Sequence, residues 1–185
     1  MAIKDLFTLG RQGQAVNSAN GEFVVVGNQN EIVVRNNKNQ IVSTTELKGA
    51  RPYGNYQVAA ISNDAKKAYI TTWNGYLTTS GAGGIFEVDL RSGITKRLDV
   101  DKNNSTFTYQ GWSVDARDID LSGDNNYLIF SIRDTADSKT WGNQETKIYR
   151  KNLLNDEIIR IDGTSSGGYS GNPRANNNGT KILFT

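Results

Sequence analysis

Ile119-Asp120-Leu121-Ser122-Gly123-Asp124-Asn125-Asn126-Tyr127-Leu128-Ile129-Phe130-Ser131 is the stretch that decides the fold. A short strand-like run meets a cluster of Ser, Gly, Asp and Asn, and a strongly apolar run follows. Asn and Gly tolerate positive φ and close tight turns, so this order reads as strand, turn, strand. The same grammar occurs in Val16–Val26, in Ala60–Ile70 and in Pro173–Thr185. Aligned on Ser18, Ser62, Ser122 and Asn176, the copies stand 44, 60 and 54 residues apart.

Each of the first three copies is followed by two more strand-like runs with a turn between them. Glu31–Arg35 precedes Gln40–Leu47, Gly84–Leu90 turns at Arg91-Ser92-Gly93 into Ile94–Leu98, and Lys147–Leu153 turns at Leu154-Asn155-Asp156 into Glu157–Ile161. No segment keeps an apolar i, i+3, i+4, i+7 pattern over three turns. The fold class is therefore all-β, built from four-stranded antiparallel meanders. A period of about 40–50 residues with four strands is the signature of a β-propeller blade.

The order Ser-x-Asp/Asn-Gly followed by three apolar residues, and then Gly84-Ile85-Phe86-Glu87-Val88-Asp89-Leu90-Arg91-Ser92-Gly93 leading to Leu98, resembles the WD40-like repeats of TolB-type β-propellers. Gly84–Leu98 and Gly171–Thr185 carry the resemblance best; the copy around Ser18 lacks the Asp-Leu/Ser-Gly turn. The resemblance covers most of the chain and implies the propeller fold. It implies little about function, because unrelated proteins share such blades.

With strands named A to D, the 185 residues read as D, ABCD, ABCD, ABCD, AB, a single propeller domain of about 3.5 blades. The leading D is Ile3–Leu9. Two arrangements fit: part of a larger ring, completed by further chain or by a second copy, or a small four-bladed ring, for which four blades of ~45 residues suffice. The apolar Ile182-Leu183-Phe184 favours the partial ring, since an unpaired strand edge of that kind is adhesive.

Composition narrows the chemistry. The chain has no His and no Cys, which excludes a Ser-His-Asp triad, a Cys nucleophile, disulfides and zinc sites built from N and S ligands. A net charge of +2 gives no electrostatic footprint for nucleic acid or an acidic membrane. Neither a signal-peptide apolar core nor a membrane-spanning run is visible, so a soluble protein is expected, in the cytoplasm, the periplasm, the extracellular space or a virion.

Three groups of residues carry possible chemistry. Asp99, Asp101 and Asn103 alternate as oxygen ligands do in a calcium loop, but Asn104 and Gln110 occupy the positions where an EF-hand needs Gly and a carboxylate. A turn-rich connector between blades explains them equally, and no cofactor is expected beyond a weak case for Ca²⁺. Asp118 and Asp120 share one strand face, with Asp115 nearby, as the paired acids of a glycosidase would; neutralisation by Arg117 and Arg133 is the alternative. Trp73 with Tyr76, and Trp141, fall on connections between strands B and C, while Trp112 precedes the third blade. Such aromatics either stack on a ligand or pack between blades.

The expectation is a non-catalytic propeller that engages a protein or glycan partner through the loops of one face. A propeller glycosidase, or an accessory propeller of a larger hydrolase, is the alternative from another class. A third is a structural subunit whose half-rings self-associate to close a propeller.

Overall fold

The computed structural model describes residues 15–28, 30–50, 55–73, 77, 83–100, 119–134, 145–163 and 171–184. They form three four-stranded antiparallel meanders and one two-stranded sheet. Blade 1 contains β1 (Ala15–Asn17), β2 (Phe23–Asn28), β3 (Glu31–Asn36) and β4 (Ile41–Glu46). Blade 2 contains β5 (Asn55–Ile61), β6 (Lys67–Trp73), β7 (Gly84–Asp89) and β8 (Thr95–Arg97). Blade 3 contains β9 (Ile119–Leu121), β10 (Tyr127–Asp134), β11 (Glu145–Asn152) and β12 (Ile158–Arg160). The inner part of a fourth blade is β13 (Arg174–Ala175) paired with β14 (Ile182–Leu183). The expected leading strand, Ile3–Leu9, lies outside the described residues.

The first strands of the blades stand side by side: β1 against β5, β5 against β9, and β9 against β13. Successive side chains on a strand point to opposite faces, so each blade offers one set to the blade before it and one to the blade after. In blade 2, Val58, Ala68, Ile70, Phe86 and Val88 join Val25, Ile32 and Val34 of blade 1 in one apolar cluster. Tyr69, Ile85 and Leu98 turn the other way and join Ile119, Leu128, Phe130 and Ile132 of blade 3 in a second. Because both faces are covered, the second strands read as unbroken apolar runs rather than as alternating ones. Burial of a ring such as Phe130 contributes about 1.5–3 kcal/mol, and Phe130 also stacks on Tyr149 at 5.9 Å between centroids.

The turn that opens each blade has one construction in four copies. The backbone N–H of Ser18 donates to the Phe23 carbonyl, Ser62 to Lys67, Ser122 to Tyr127 and Asn176 to Lys181. In return, the side chain of the first residue accepts from that same partner's N–H at 2.9–3.0 Å. The fourth position of each turn takes a positive φ: Gly21, Ala65, Asn125 and Gly179. At Gly179 a glycine is required for a second reason, since a Cβ there would stand 2.6 Å from the Tyr127 ring.

Outer contacts also bridge the blades. Thr45 donates through its hydroxyl to the Leu90 carbonyl, and Lys48 N–H reaches the Gly93 carbonyl at 3.2 Å. The Asp156 carboxylate takes Lys96 of blade 2 at 3.0 Å and the buried Lys151 of its own blade at 3.2 Å. Lys151 also donates to the Val100 carbonyl at 3.3 Å. Burial raises the Asp156 carboxyl, but the hydrogen bonds from the two ammonium groups outweigh it and leave the carboxyl below its ordinary range.

Candidate functional site

A meander has two unlike ends. The turns joining first to second and third to fourth strands lie at one end, called here the turn end. At the loop end, second strands finish (Asn28, Trp73, Asp134), third strands begin (Glu31, Gly84, Glu145) and fourth strands finish (Glu46, Arg97, Arg160).

At the turn end the four copies form a chain of hydrogen bonds. Asn20 donates through its backbone N–H and its Nδ2 to Oδ1 and O of Asn63, at 3.0 and 3.2 Å. Asn63 in turn donates through N–H to Asn125 Oδ1 at 3.2 Å and through Nδ2 to the Gly123 carbonyl at 2.6 Å. Asp124 N–H donates to the Asn177 carbonyl at 2.7 Å. Much of the polar capacity of these turns is therefore spent between blades.

The loop end is built differently. In blade 2, Arg97 grips Asp99 with Nε to Oδ1 and Nη2 to Oδ2, both at 2.9 Å, while Asp99 also accepts the Ile85 N–H at 3.2 Å. The guanidinium reaches the Gly83 carbonyl at 3.1 Å and lies over the Phe86 ring, 5.8 Å from its centroid. Blade 3 repeats this in Arg160 and Asp162, with Nε to Oδ1 at 2.6 Å and the Ile148 N–H on Asp162 at 3.2 Å. These Arg-x-Asp clamps tie the end of the fourth strand to the start of the third. Blade 1 has Glu46-Leu47-Lys48 in the same place, and Leu47 packs in an apolar cluster as Leu98 does in blade 2.

Near the end of β6, whose last residue is Trp73, three polar atoms are buried with no hydrogen-bond partner among the described residues: Gln57 Oε1, Thr71 Oγ1 and Thr72 Oγ1. Gln57 and Thr71 are cross-strand partners, and Thr71 and Thr72 are both 0% exposed. Unmet buried polar groups cost about 1–3 kcal/mol each, so each calls for an explanation. Ser131 in blade 3 and Ser43 in blade 1 are two further cases. Leu77, on the connection that follows Trp73, packs against the cluster between blades 1 and 2.

The residues singled out in the sequence divide as follows. Trp73 sits at the loop end, opposite Asn55 of β5. Tyr76, Trp112, Trp141, Asp115, Asp118, Asp101 and Asn103 lie outside the described residues. Asp99 has both carboxylate oxygens engaged by Arg97 and a backbone amide, the work of a structural anchor. Asp120 accepts the Ala175 N–H at 2.7 Å and so joins β9 to β13. Burial pushes the Asp120 carboxyl above its ordinary value, outweighing that hydrogen bond and the nearby Arg174 charge. Among the described residues no group of three or more acidic side chains is placed to hold a metal ion, and no helix is long and apolar enough to cross a membrane.

The clamps escaped the sequence reading. Their signal is Arg-x-Asp at the end of two fourth strands, Arg97-Leu98-Asp99 and Arg160-Ile161-Asp162, in the same place in consecutive blades.

Among solved structures, TolB from Acinetobacter baumannii superposes with a TM-score of 0.52 and 16% identity over 92% of this chain. The fold is a β-propeller, similar to that of TolB. The chain spans 36% of that TolB chain, about a third of its length. The β-propeller domain of Cps50 (Swd1) from Myceliophteria thermophila has a TM-score of 0.49 at 11% identity, covering 92% of this chain and 47% of that one. A putative 6-phosphogluconolactonase from Bacteroides uniformis has 0.45 at 17%, covering 92% and 46%. No family model matches the chain, and no curated protein matches it by sequence.

Proposed function

We propose that the TolB-type blades form a non-catalytic binding module that engages a glycan or a polar protein surface at the loop end. The observation that carries this reading is the contrast between the two ends. The turn end commits its amides to neighbouring blades, whereas toward the loop end of blade 2 Gln57, Thr71 and Thr72 keep polar atoms without partners among the described residues. A Trp that ends the strand carrying Thr71 and Thr72 suits a ligand that has an apolar face and hydroxyls of its own, as sugars do. Trp141 and Tyr76 belong to the same proposal as further stacking residues, and Trp112 as a residue that flanks them.

Binding to a glycan array, repeated with Trp73→Ala and Trp141→Ala, tests this reading. A signal that both substitutions abolish, with far-UV circular dichroism unchanged, supports it. A signal indifferent to both, or the absence of any signal for glycans and for immobilised peptides alike, overturns it.

A second reading, self-association that completes a ring, draws on the outermost described strand. Leu183 of β14 is 74% exposed, an apolar side chain on a two-stranded sheet. Sedimentation of the purified chain separates the two readings, because only the second requires a dimer.

A further inference from the structure

Two of the four turns contain Asn followed by Gly, Asn20-Gly21 and Asn178-Gly179, and in both the Asn is the third residue of the turn. This pair is the one most prone to deamidation, since glycine puts no side chain in the way of the backbone nitrogen that attacks the Asn amide. The other two turns hold Asp64 and Asp124 at the same position. Asp64 Oδ1 accepts from Ser62 Oγ at 2.7 Å and from Lys66 N–H at 3.1 Å. Asp124 Oδ1 accepts from Ser122 Oγ at 2.6 Å and from Asn126 N–H at 3.0 Å. In Asn178 the same oxygen does the same work, accepting from Asn176 Nδ2 at 2.9 Å, Thr180 N–H at 3.3 Å and Thr180 Oγ1 at 2.6 Å.

We propose that Asn178 is a deamidation site whose aspartate product the fold already accommodates, and that the tie between blades 1 and 2 protects Asn20 from the same reaction. At Asn178 the oxygen is the atom the turn uses; the amide nitrogen makes no hydrogen bond among the described residues. A carboxylate there keeps every acceptor role, and the Arg150 guanidinium, 3.3 Å from the Gly179 carbonyl, supplies a favourable positive charge. At Asn20 the amide nitrogen is engaged, donating to the Asn63 carbonyl at 3.2 Å. Replacing it with an oxygen removes that bond and sets two acceptors against each other. The attacking nitrogens are held alike, Gly21 N–H by the Ser18 carbonyl at 2.9 Å and Gly179 N–H by the Asn176 carbonyl at 3.1 Å, so the difference between the two sites lies in the Asn amides.

In the reaction the Gly179 backbone nitrogen, its proton taken by solvent base, bonds to Cγ of Asn178 while the Cγ–Nδ2 bond breaks and ammonia leaves. Water then opens the cyclic imide at one of its two carbonyls, giving aspartate or isoaspartate. The sum is amide plus water to acid plus ammonia, with no oxidant or cofactor. The product carries one more negative charge than the parent chain.

Warm, mildly alkaline incubation of the folded protein followed by tryptic peptide mapping tests the proposal. Asn178 falls in the peptide 175–181, Asn20 in 12–35 and Asn74, a third Asn-Gly outside the described residues, in 68–91. The expected result is conversion at Asn178 several-fold faster than at Asn20 in the folded state, with the two rates converging in urea. Asn178→Asp should leave the thermal midpoint unchanged, and Asn20→Asp should lower it. Equal or faster conversion at Asn20 in the folded protein overturns the proposal. So does an Asn178→Asp variant as destabilised as Asn20→Asp, or an Asn178 that converts only in urea.

Discussion

At the turn end, four copies of one turn are joined by hydrogen bonds among amides, hydroxyls and backbone groups, whereas at the loop end blades 2 and 3 are closed by arginine–aspartate pairs. The first device repeats in every blade; the second is missing from blade 1, where Glu46 and Lys48 occupy the places of the arginine and the aspartate. The difference teaches that the repeat preserves a local turn more strictly than a contact across a hairpin. A turn is specified by residues five apart, and losing its first side chain strands a buried N–H. The hairpin clamp spans 14 residues, from Ile85 to Asp99, and blade 1 closes without it.

Asp99→Ala should produce the largest effect. It leaves the Arg97 guanidinium, 20% exposed, without its carboxylate and the Ile85 N–H without its acceptor, at a cost of about 3 kcal/mol in urea unfolding. If it costs no more than the turn substitutions below, the loop end is not held by its clamps and the contrast fails. Ser122→Ala comes next: it removes the acceptor for Tyr127 N–H and the donor to Asp124, for about 1–2 kcal/mol. Equivalent losses at Ser18 and Ser62 would sharpen the claim that the turns are interchangeable.

Asn63→Ala should cost about 1 kcal/mol, because two side-chain bonds between blades go while two backbone bonds stay. Faster amide exchange at Asn20, with the core of blade 2 unchanged, is the observation that would locate the effect at the turn end.

Asp120→Asn should give the smallest change, and one of opposite sign. A carboxyl whose folded value is raised contributes stability below its ordinary value and loses it as pH rises through the raised one. At neutral pH the amide therefore relieves a buried charge while still accepting the Ala175 N–H. The thermal midpoint should rise slightly at neutral pH and match the parent in strong acid. Asp124 behaves in the reverse way: burial raises it, but the Ser122 hydroxyl and backbone donors prevail and hold it low, so its contribution fades as pH falls through that lowered value.

The turns and blades were legible in the sequence because their chemistry is local. Ser18, Ser62, Ser122 and Asn176 mark the same structural position, and the strands predicted from Glu31, Gly84 and Lys147 onward fall within two residues of those observed. Asp99 was not legible. Its neighbours Asp101 and Asn103 suggest a cation loop, while its partners lie at Ile85 across the hairpin and at Arg97 two residues back along the strand. Asp120 reads from sequence as half of an acid pair; its hydrogen bond from the Ala175 N–H, on a strand 55 residues onward, leaves no sign in the local sequence. The spare polar atoms of Gln57, Thr71 and Thr72 leave no trace in a motif, because their lack of partners is a property of packing.

The chain of turn contacts has a direction. Asn20 donates to Asn63, Asn63 to Gly123 and Asn125, and Asp124 to Asn177, each from an earlier blade to a later one. Every blade thus has a tongue on one side and a groove on the other, like a floorboard. A duplicated blade inserted into such a series meets a matching edge on both flanks without any new residue being invented, whereas one inserted back to front meets tongue against tongue. Gene duplication can therefore lengthen this architecture one blade at a time.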